Sequence, residues 1–357
     1  MLTNSYESCP PKRIALIKPS ALGDIVHSLP VVTALRRRFP QARITWVVNK
    51  AYEPLLCGHP DLDATLAFPR RAISWQKPQS LLIFCRFLRE MRCQHFDLVI
   101  DLQGLLRTGL MTFATGARRR VGLASAREGA RWFYTDIVVD NQQPYRHAVD
   151  RYWLVADALG AGRFAKEFRF PDFPSELTRF SSILAGLSRP WMVLAPGARW
   201  QTKRWPIAHF AELIHRARCC FGGSVIVVGS SEDKHLANCF ADGYSGNSLL
   251  DLTGKTTIPE LVCVLKLADV VVANDSGPLH IAAALGRPVV APFTCTQIQR
   301  TGPYGWFDSA VESSVPCQGS CIKRCSRMDC MVELTADRLW PVLRRHLADW
   351  ERKATPA

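Results

Sequence analysis

At 357 residues the chain is long for one hydrophobic core and fits two domains of ordinary size. Its 48% hydrophobic content excludes a disordered chain, and no apolar run approaches the roughly 20 residues that a membrane-spanning helix needs. Lys and Arg number 45 against 31 acids, a net charge of +14, which fits a solvated basic surface or an anionic partner: nucleic acid, a phospholipid face, or a phosphorylated or carboxylated substrate.

The opening MLTNSYESCPPKR lacks the apolar core of an export signal, so a cytoplasmic protein is expected, one whose basic groups suit a membrane face. Arg13–Lys18 then reads as a strand, a Gly-containing turn follows, and a helix is expected from about Asp24 to Phe39. Further strands are expected at Arg43–Val48 and Phe96–Asp101. Segment 137–175 is richer in polar residues and proline and reads as the way out of the first domain. A second series begins at Pro190–Ala195 and continues through Ser224–Gly229, Val270–Asn274 and Pro288–Pro292, with helices at Ala208–Cys220 and Thr257–Ala268. An amphipathic helix from about Thr335 to Trp350 closes the chain. Strands alternating with helices predict an α/β protein of two Rossmann-like domains facing a central cleft: residues 1–175, residues 176–334, and a terminal helix and tail over 335–357.

Three segments carry chemistry. In Lys18-Pro-Ser-Ala-Leu-Gly-Asp-Ile-Val-His27, Gly23 allows a tight turn and Asp24 falls at the start of a helix, as an N-cap or as a carboxylate facing a ligand. The segment is not GxGxxG, which lowers a dehydrogenase reading. In Val270–Gly286, Asp275 and Ser276 are N-cap residue types, Gly277 permits close backbone approach, and His280 follows within the first turns. A helix start there supplies unpaired N–H groups to a phosphate, the alternative being a capped helix with a core histidine. In Ala195–Pro206, Lys203 is either a surface lysine or a point charge for a leaving diphosphate.

Of the 13 cysteines, Cys57, Cys85, Cys93, Cys219, Cys220 and Cys263 stand in apolar stretches and are expected to be buried. Cys317, Cys321, Cys325 and Cys330 form a dense run whose spacing admits zinc, disulfides or free thiols. No metal is expected elsewhere, and no other cofactor.

Taken in order, KPSALGDIVHSLP, FDLVIDLQGLLRTGL, SAREG, HAVDRYWLVADALG, TKRWPIAHFAELI and NDSGPLHIAAALGRPVV resemble the ADP-heptose:lipopolysaccharide heptosyltransferases, glycosyltransferase family 9, of the GT-B fold. The first-half segments look closest to the branch that adds the first heptose to a Kdo sugar on lipid A. The resemblance implies an inverting, metal-independent transfer from ADP-heptose to an acidic glycolipid at the inner membrane. It implies Asp24 as general base on the acceptor hydroxyl and Lys203 on the donor phosphates. It places Asp275, Ser276, Gly277 and His280 around the donor diphosphate and sugar, and Glu232, with Asp233 as a rival, on the nucleotide ribose. Arg70, Arg71 and Arg127 match basic positions facing the acceptor. Another nucleotide sugar or glycan, or a nucleotide-sugar epimerase of the same shape, stays open. A nucleic-acid binder is disfavoured, because the basic residues are not grouped with aromatics on one element.

Overall fold

The computed structural model describes residues 9–70, 78–140, 146–240 and 248–354. Arg71 lies outside them. The chain forms two compact units, Met1–Asp172 and Phe173–Ala357.

Unit one contains strands β1 (Arg13–Ile17), β2 (Arg43–Asn49), β3 (Ala64–Phe68), β4 (Leu98–Asp101), β5 (Arg119–Leu123) and β6 (Asp136–Val138), with helices α1 (Leu22–Arg38), α2 (Pro78–Cys93), α3 (Leu106–Ala114) and α4 (Ala148–Ala158). The strands pair in parallel in the order β3-β2-β1-β4-β5-β6. Both sheet faces are covered, so β1 reads as the continuous apolar run Ile14-Ala-Leu-Ile17, fully buried, rather than as an alternating strand. Each such buried Leu, Ile or Val contributes about 1.5–3 kcal/mol relative to exposure. Segment 137–175 is more than an exit: it supplies the end of β6 and all of α4, which packs on α1 and buries Tyr152, Trp153 and Val155. Its polar residues lie on the outer side of an otherwise apolar helix.

Unit two repeats the plan. Strands β7 (Trp191–Ala195), β8 (Ser224–Val227), β9 (Leu249–Asp251), β10 (Val270–Ala273), β11 (Val289–Phe293) and β12 (Ala310–Glu312) alternate with α5 (Pro174–Ala185), α6 (Ile207–Phe221), α7 (Lys234–Asn238), α8 (Ile258–Leu267), α9 (Gly277–Ala284), α10 (Ile298–Thr301), α11 (Asp329–Glu333) and α12 (Ala336–Ala354). The parallel sheet runs β12-β11-β10-β7-β8-β9. The terminal helix belongs to this unit. Leu339, Leu343, His346 and Leu347 recur at helical spacing on its buried face, against α6, β10 and β11.

In both units the first strand lies between the second and the fourth, and the chain leaves it in opposite directions on its two sides. That makes the gaps β1/β4 and β7/β10 topological switch points, where loops diverge and leave a crevice at the carboxyl ends of the strands. Among the described residues no helix is long and apolar enough to cross a membrane. Five of the cysteines expected to be buried are exposed: Cys57, Cys85, Cys93, Cys219 and Cys220. Cys85 and Cys93 lie on α2, and Cys219 and Cys220 in the last turn of α6, where apolar neighbours in sequence are not neighbours in space. Cys263 is buried in α8, as expected.

Candidate functional site

The switch point of unit one is built from the β1–α1 and β4–α3 loops. Asp24 is the third residue of α1 rather than its N-cap, and its Oδ2 reaches back to accept the Ala21 N–H at 3.0 Å. That arrangement satisfies one helix-start donor while the side chain stays 40% exposed. Its Oδ1 accepts the Tyr152 hydroxyl at 3.3 Å and lies 3.9 Å from Nζ of Lys18. Lys18 is 2% exposed and also donates to Tyr152 Oη at 2.8 Å and the Leu102 carbonyl at 3.2 Å. Burial alone would lower its ammonium pKa; the Asp24 charge and Tyr152 more than offset this and raise it above the ordinary lysine value.

Across the switch point, Asp101 is buried at the end of β4 and accepts N–H bonds from Gln103 and Gly104 and the Tyr134 hydroxyl. Burial pushes its carboxyl above the usual value despite those bonds. Gly104 has φ +66°, and a Cβ there would sit 3.1 Å from Ala126; its carbonyl accepts the Arg127 N–H. This close approach brings the loop after β5 to the rim. Arg127 is exposed on it, and the exposed Arg70 donates to Ser20 Oγ at 2.9 Å beside Asp24's own loop. Arg107, absent from the sequence candidates, joins them: its guanidinium is pushed below its usual value by burial and then by Arg70. Arg70, Arg107 and Arg127 thus belong to the unit that carries this half-exposed carboxylate, with Arg70 bonded to the carboxylate's own loop.

In unit two the roles invert. Asp275 is 3% exposed just after β10, while Lys203 is 16% exposed after β7 and holds Asp275 Oδ2 from 2.6 Å. The same oxygen accepts the Thr296 hydroxyl at 2.6 Å, and Oδ1 lies 3.2 Å from His280 Nε2. A carboxylate only accepts, so Nε2 carries the proton of this bond. Burial would raise the Asp275 carboxyl, but the His280 bond and the Lys203 charge outweigh it and hold it far below the carboxylate range. Asn274, fully buried, ties the switch point together by accepting the Trp205 N–H and donating to the Pro196 carbonyl at 2.6 Å. Ser276 stands at the N-cap of α9, with Gly277 as first residue, yet its Oγ is buried without a hydrogen-bond partner among the described residues. A helix start with an uncommitted hydroxyl suits an anionic oxygen.

The structure separates Glu232 from its rival. Asp233 is used locally, accepting the Ser230 N–H and hydroxyl, and packs so close to Gly197 that a Cβ there would meet its Oδ2 at 2.5 Å. Glu232 is exposed at the carboxyl end of β8, with its carboxylate uncommitted among the described residues. The late cysteines stitch rather than gather. Cys321 N–H donates to the Cys295 carbonyl at 2.8 Å, Gln318 Nε2 to the Thr296 carbonyl at 2.9 Å, and Thr202 Oγ1 to the Ile322 carbonyl at 2.5 Å. This loop therefore backs Lys203 and Thr296. Cys317 and Cys321 are exposed, Cys325 is half-buried and Cys330 is buried, all as free thiols. Among the described residues no three His, Cys, Asp or Glu side chains are grouped to hold a metal ion.

A family model described as Glycosyltransferase family 9 (heptosyltransferase) matches residues 84–331. The chain belongs to this family. Lipopolysaccharide heptosyltransferase 1 of Pseudomonas aeruginosa is 32% identical over 324 residues, covering 87% of this chain and 86% of its own. Among solved structures, E. coli ADP-heptose lps heptosyltransferase II superposes with TM-score 0.74 at 24% identity, covering 95% of this chain and 99% of that one. E. coli heptosyltransferase WaaC with ADP-2-deoxy-2-fluoro heptose gives TM-score 0.71 at 24% identity, covering 93% and 99%. The two-unit α/β architecture is the GT-B fold of these proteins, and the enzyme is a glycosyltransferase.

Sequence reasoning on this glycosyltransferase missed Lys18, Tyr152, Arg107, Asn274 and Thr296. Lys18 opened a quoted motif and Tyr152 lay within another, so their presence was visible. What was not visible is that residues 134 apart share a hydrogen bond.

Proposed function

We propose that the enzyme moves a heptose from ADP-heptose to the Kdo-bearing inner core of lipopolysaccharide, with inversion at the anomeric carbon and without a metal. The observation that carries this reading is the contrast between the switch points: unit one presents a half-exposed carboxylate with Arg70 bonded to its loop, and unit two presents cations and a helix start. A carboxylate suits proton removal from an acceptor hydroxyl. Cations and helix N–H groups suit a leaving diphosphate.

In this mechanism Asp24 takes the acceptor proton as the acceptor oxygen forms its bond to the anomeric carbon. The bond from that carbon to the diphosphate oxygen breaks, and ADP departs with the electron pair. Lys203, His280, Ser276 and the start of α9 at Gly277 receive the charge that builds on the diphosphate. Asp275 serves by holding Lys203 and His280 rather than by touching phosphate, which its own charge would repel. Glu232 is assigned to the ribose hydroxyls, and Arg70, Arg127 and Arg107, with Arg71, to the acidic acceptor. In-line displacement by one nucleophile gives inversion. The net charge of +14 suits an anionic membrane face and supports the reading of an enzyme working at the cytoplasmic side of the inner membrane, where such a glycolipid acceptor would be anchored.

The test combines purified protein, ADP-heptose and Kdo-bearing lipid A, read by mass spectrometry. A heptose-sized mass gain whose rate falls about 10²–10⁴-fold in Asp24→Asn is expected. No gain, with ADP still protecting the protein from thermal unfolding, would overturn the donor sugar or the acceptor. Near-normal turnover in Asp24→Asn would overturn the base.

A further inference from the structure

We infer that Lys18 and Tyr152 are positioning residues for the Asp24 carboxylate, forming a buried chain that fixes which oxygen, and which lone pair, is presented to the acceptor hydroxyl. The inference rests on the reading of Asp24 as the base. Its geometry is independent of any ligand. Lys18 sits where β1 ends, Tyr152 on α4 and Asp24 in the first turn of α1, so three elements converge on one carboxylate.

Donor and acceptor counting sets the direction of this chain. The Lys18 ammonium has only protons to give, so in the 2.8 Å bond Tyr152 Oη is the acceptor. The single hydroxyl proton of Tyr152 is then left for Asp24 Oδ1, 3.3 Å away. Asp24 Oδ2 is occupied by the Ala21 N–H at 3.0 Å. Both oxygens are therefore anchored, one from the backbone and one from Tyr152, and the carboxylate plane cannot turn freely although its side chain is 40% exposed. The exposed part of the carboxylate is what remains for an acceptor hydroxyl.

Lys18 would otherwise be an expensive residue. It is 2% exposed and its ordinary hydrogen-bond partners are one carbonyl and one phenol. Neither supplies a negative charge, and the nearby Arg151 adds a repulsive one. The counter-charge is Asp24 at 3.9 Å. A side chain this costly to bury is retained where it organises a charged group. The Tyr152 ring is 1% exposed, so it cannot swing away from this path without leaving the core.

The test is a kinetic double-mutant cycle on the full-length protein with saturating ADP-heptose and acceptor. Tyr152→Phe keeps the ring and removes only the hydroxyl, so the fold survives; circular dichroism and the thermal midpoint check this. The expected result is a kcat lowered about tenfold, the size of one hydrogen bond, with KM for both substrates unchanged. Lys18→Met is expected to lose more, about a hundredfold in kcat, because both the charge and the bond to Tyr152 go. In an Asp24→Asn background Tyr152→Phe should have no further effect, since Tyr152 acts through Asp24. An equal loss in both backgrounds would mark a general structural role and overturn the inference. Full kcat in Tyr152→Phe, with Asp24→Asn inactive, would overturn it while leaving the base reading intact. Wild-type kcat in Asp24→Asn would remove the base reading and this inference with it.

Discussion

The two switch points contain the same pair of charges arranged inside out. In unit one the lysine is buried and the carboxylate half-exposed: Lys18 at 2% against an Asp24 side chain at 40%. In unit two the carboxylate is buried and the lysine is the more exposed member, with Asp275 at 3% and Lys203 at 16%. The buried member is in each case the counter-charge, and the outward member is what the unit offers. One Rossmann-like frame thus presents a half-exposed carboxylate in one unit and a partly exposed lysine in the other. In unit one both charges follow the first strand, Lys18 at its end and Asp24 in the first turn of α1; in unit two the lysine follows the first strand and the carboxylate the fourth.

The comparison is broken most directly by turnover. Asp24→Asn is expected to lower kcat by about 10²–10⁴-fold, and also to lower the thermal midpoint, because the buried Lys18 ammonium is left without its counter-charge. Stability gives the next largest contrast. Lys203→Met leaves Asp275 buried without its cation and is expected to cost about 3–5 kcal/mol in chemical denaturation. Lys18→Met leaves Asp24 able to hydrate and strands only a phenol and a carbonyl, so about 1–2 kcal/mol is expected. Equal losses in the two variants would end the inside-out description.

Acid sharpens it further. The Asp275 carboxyl is held far below its unfolded value by His280 and Lys203. Its stabilisation is therefore full above about pH 4, the unfolded carboxylate value, and is lost as pH falls from there toward the folded value. Stability should decline with acid below that point, and Asp275→Asn should flatten the decline. His346 works in a higher window: burial lowers its pKa, and the next cause, Arg345, lowers it too. Its contribution is complete above about pH 6.5 and falls as pH drops below it, a slope that His346→Asn should remove. The smallest effect is chemical. Backbone N–H bonds from Met328 and Arg327 lower the Cys325 thiol, whereas burial raises Cys263 to about 11. Maleimide labelling followed by peptide mapping should find Cys325 modified early and Cys263 last.

How much of this was legible differs by level. The buried strands β1, β2, β7, β8, β10 and β11 announced themselves as apolar runs, and their ends were read within two residues. Strands β3, β5, β6, β9 and β12 did not. They are partly exposed, β6, β9 and β12 have only three residues each, and Arg119-Arg120 or Asp136 dilutes the apolar signal in β5 and β6. The cysteines on α2 and α6 were placed on the wrong side because composition around a residue does not say which helix face it occupies.

The sequence by itself determined the two βα series, the turns that follow their first strands, and the residue types at Asp24, Lys203, Asp275 and His280. Strand–turn–helix order is local, set by hydrophobic period, glycine and helix-start chemistry, and it needs no distant partner. Tertiary structure alone decided which charge of each pair is buried. Tyr152 reaches Asp24 across 128 positions, and Lys203 reaches Asp275 across 72. Lys18 and Asp24 share one motif, but the Tyr152 hydroxyl that joins them comes from α4, and Lys203 and Asp275 stand in different βα steps, so desolvation and hydrogen bonding act between residues that parallel crossovers bring together.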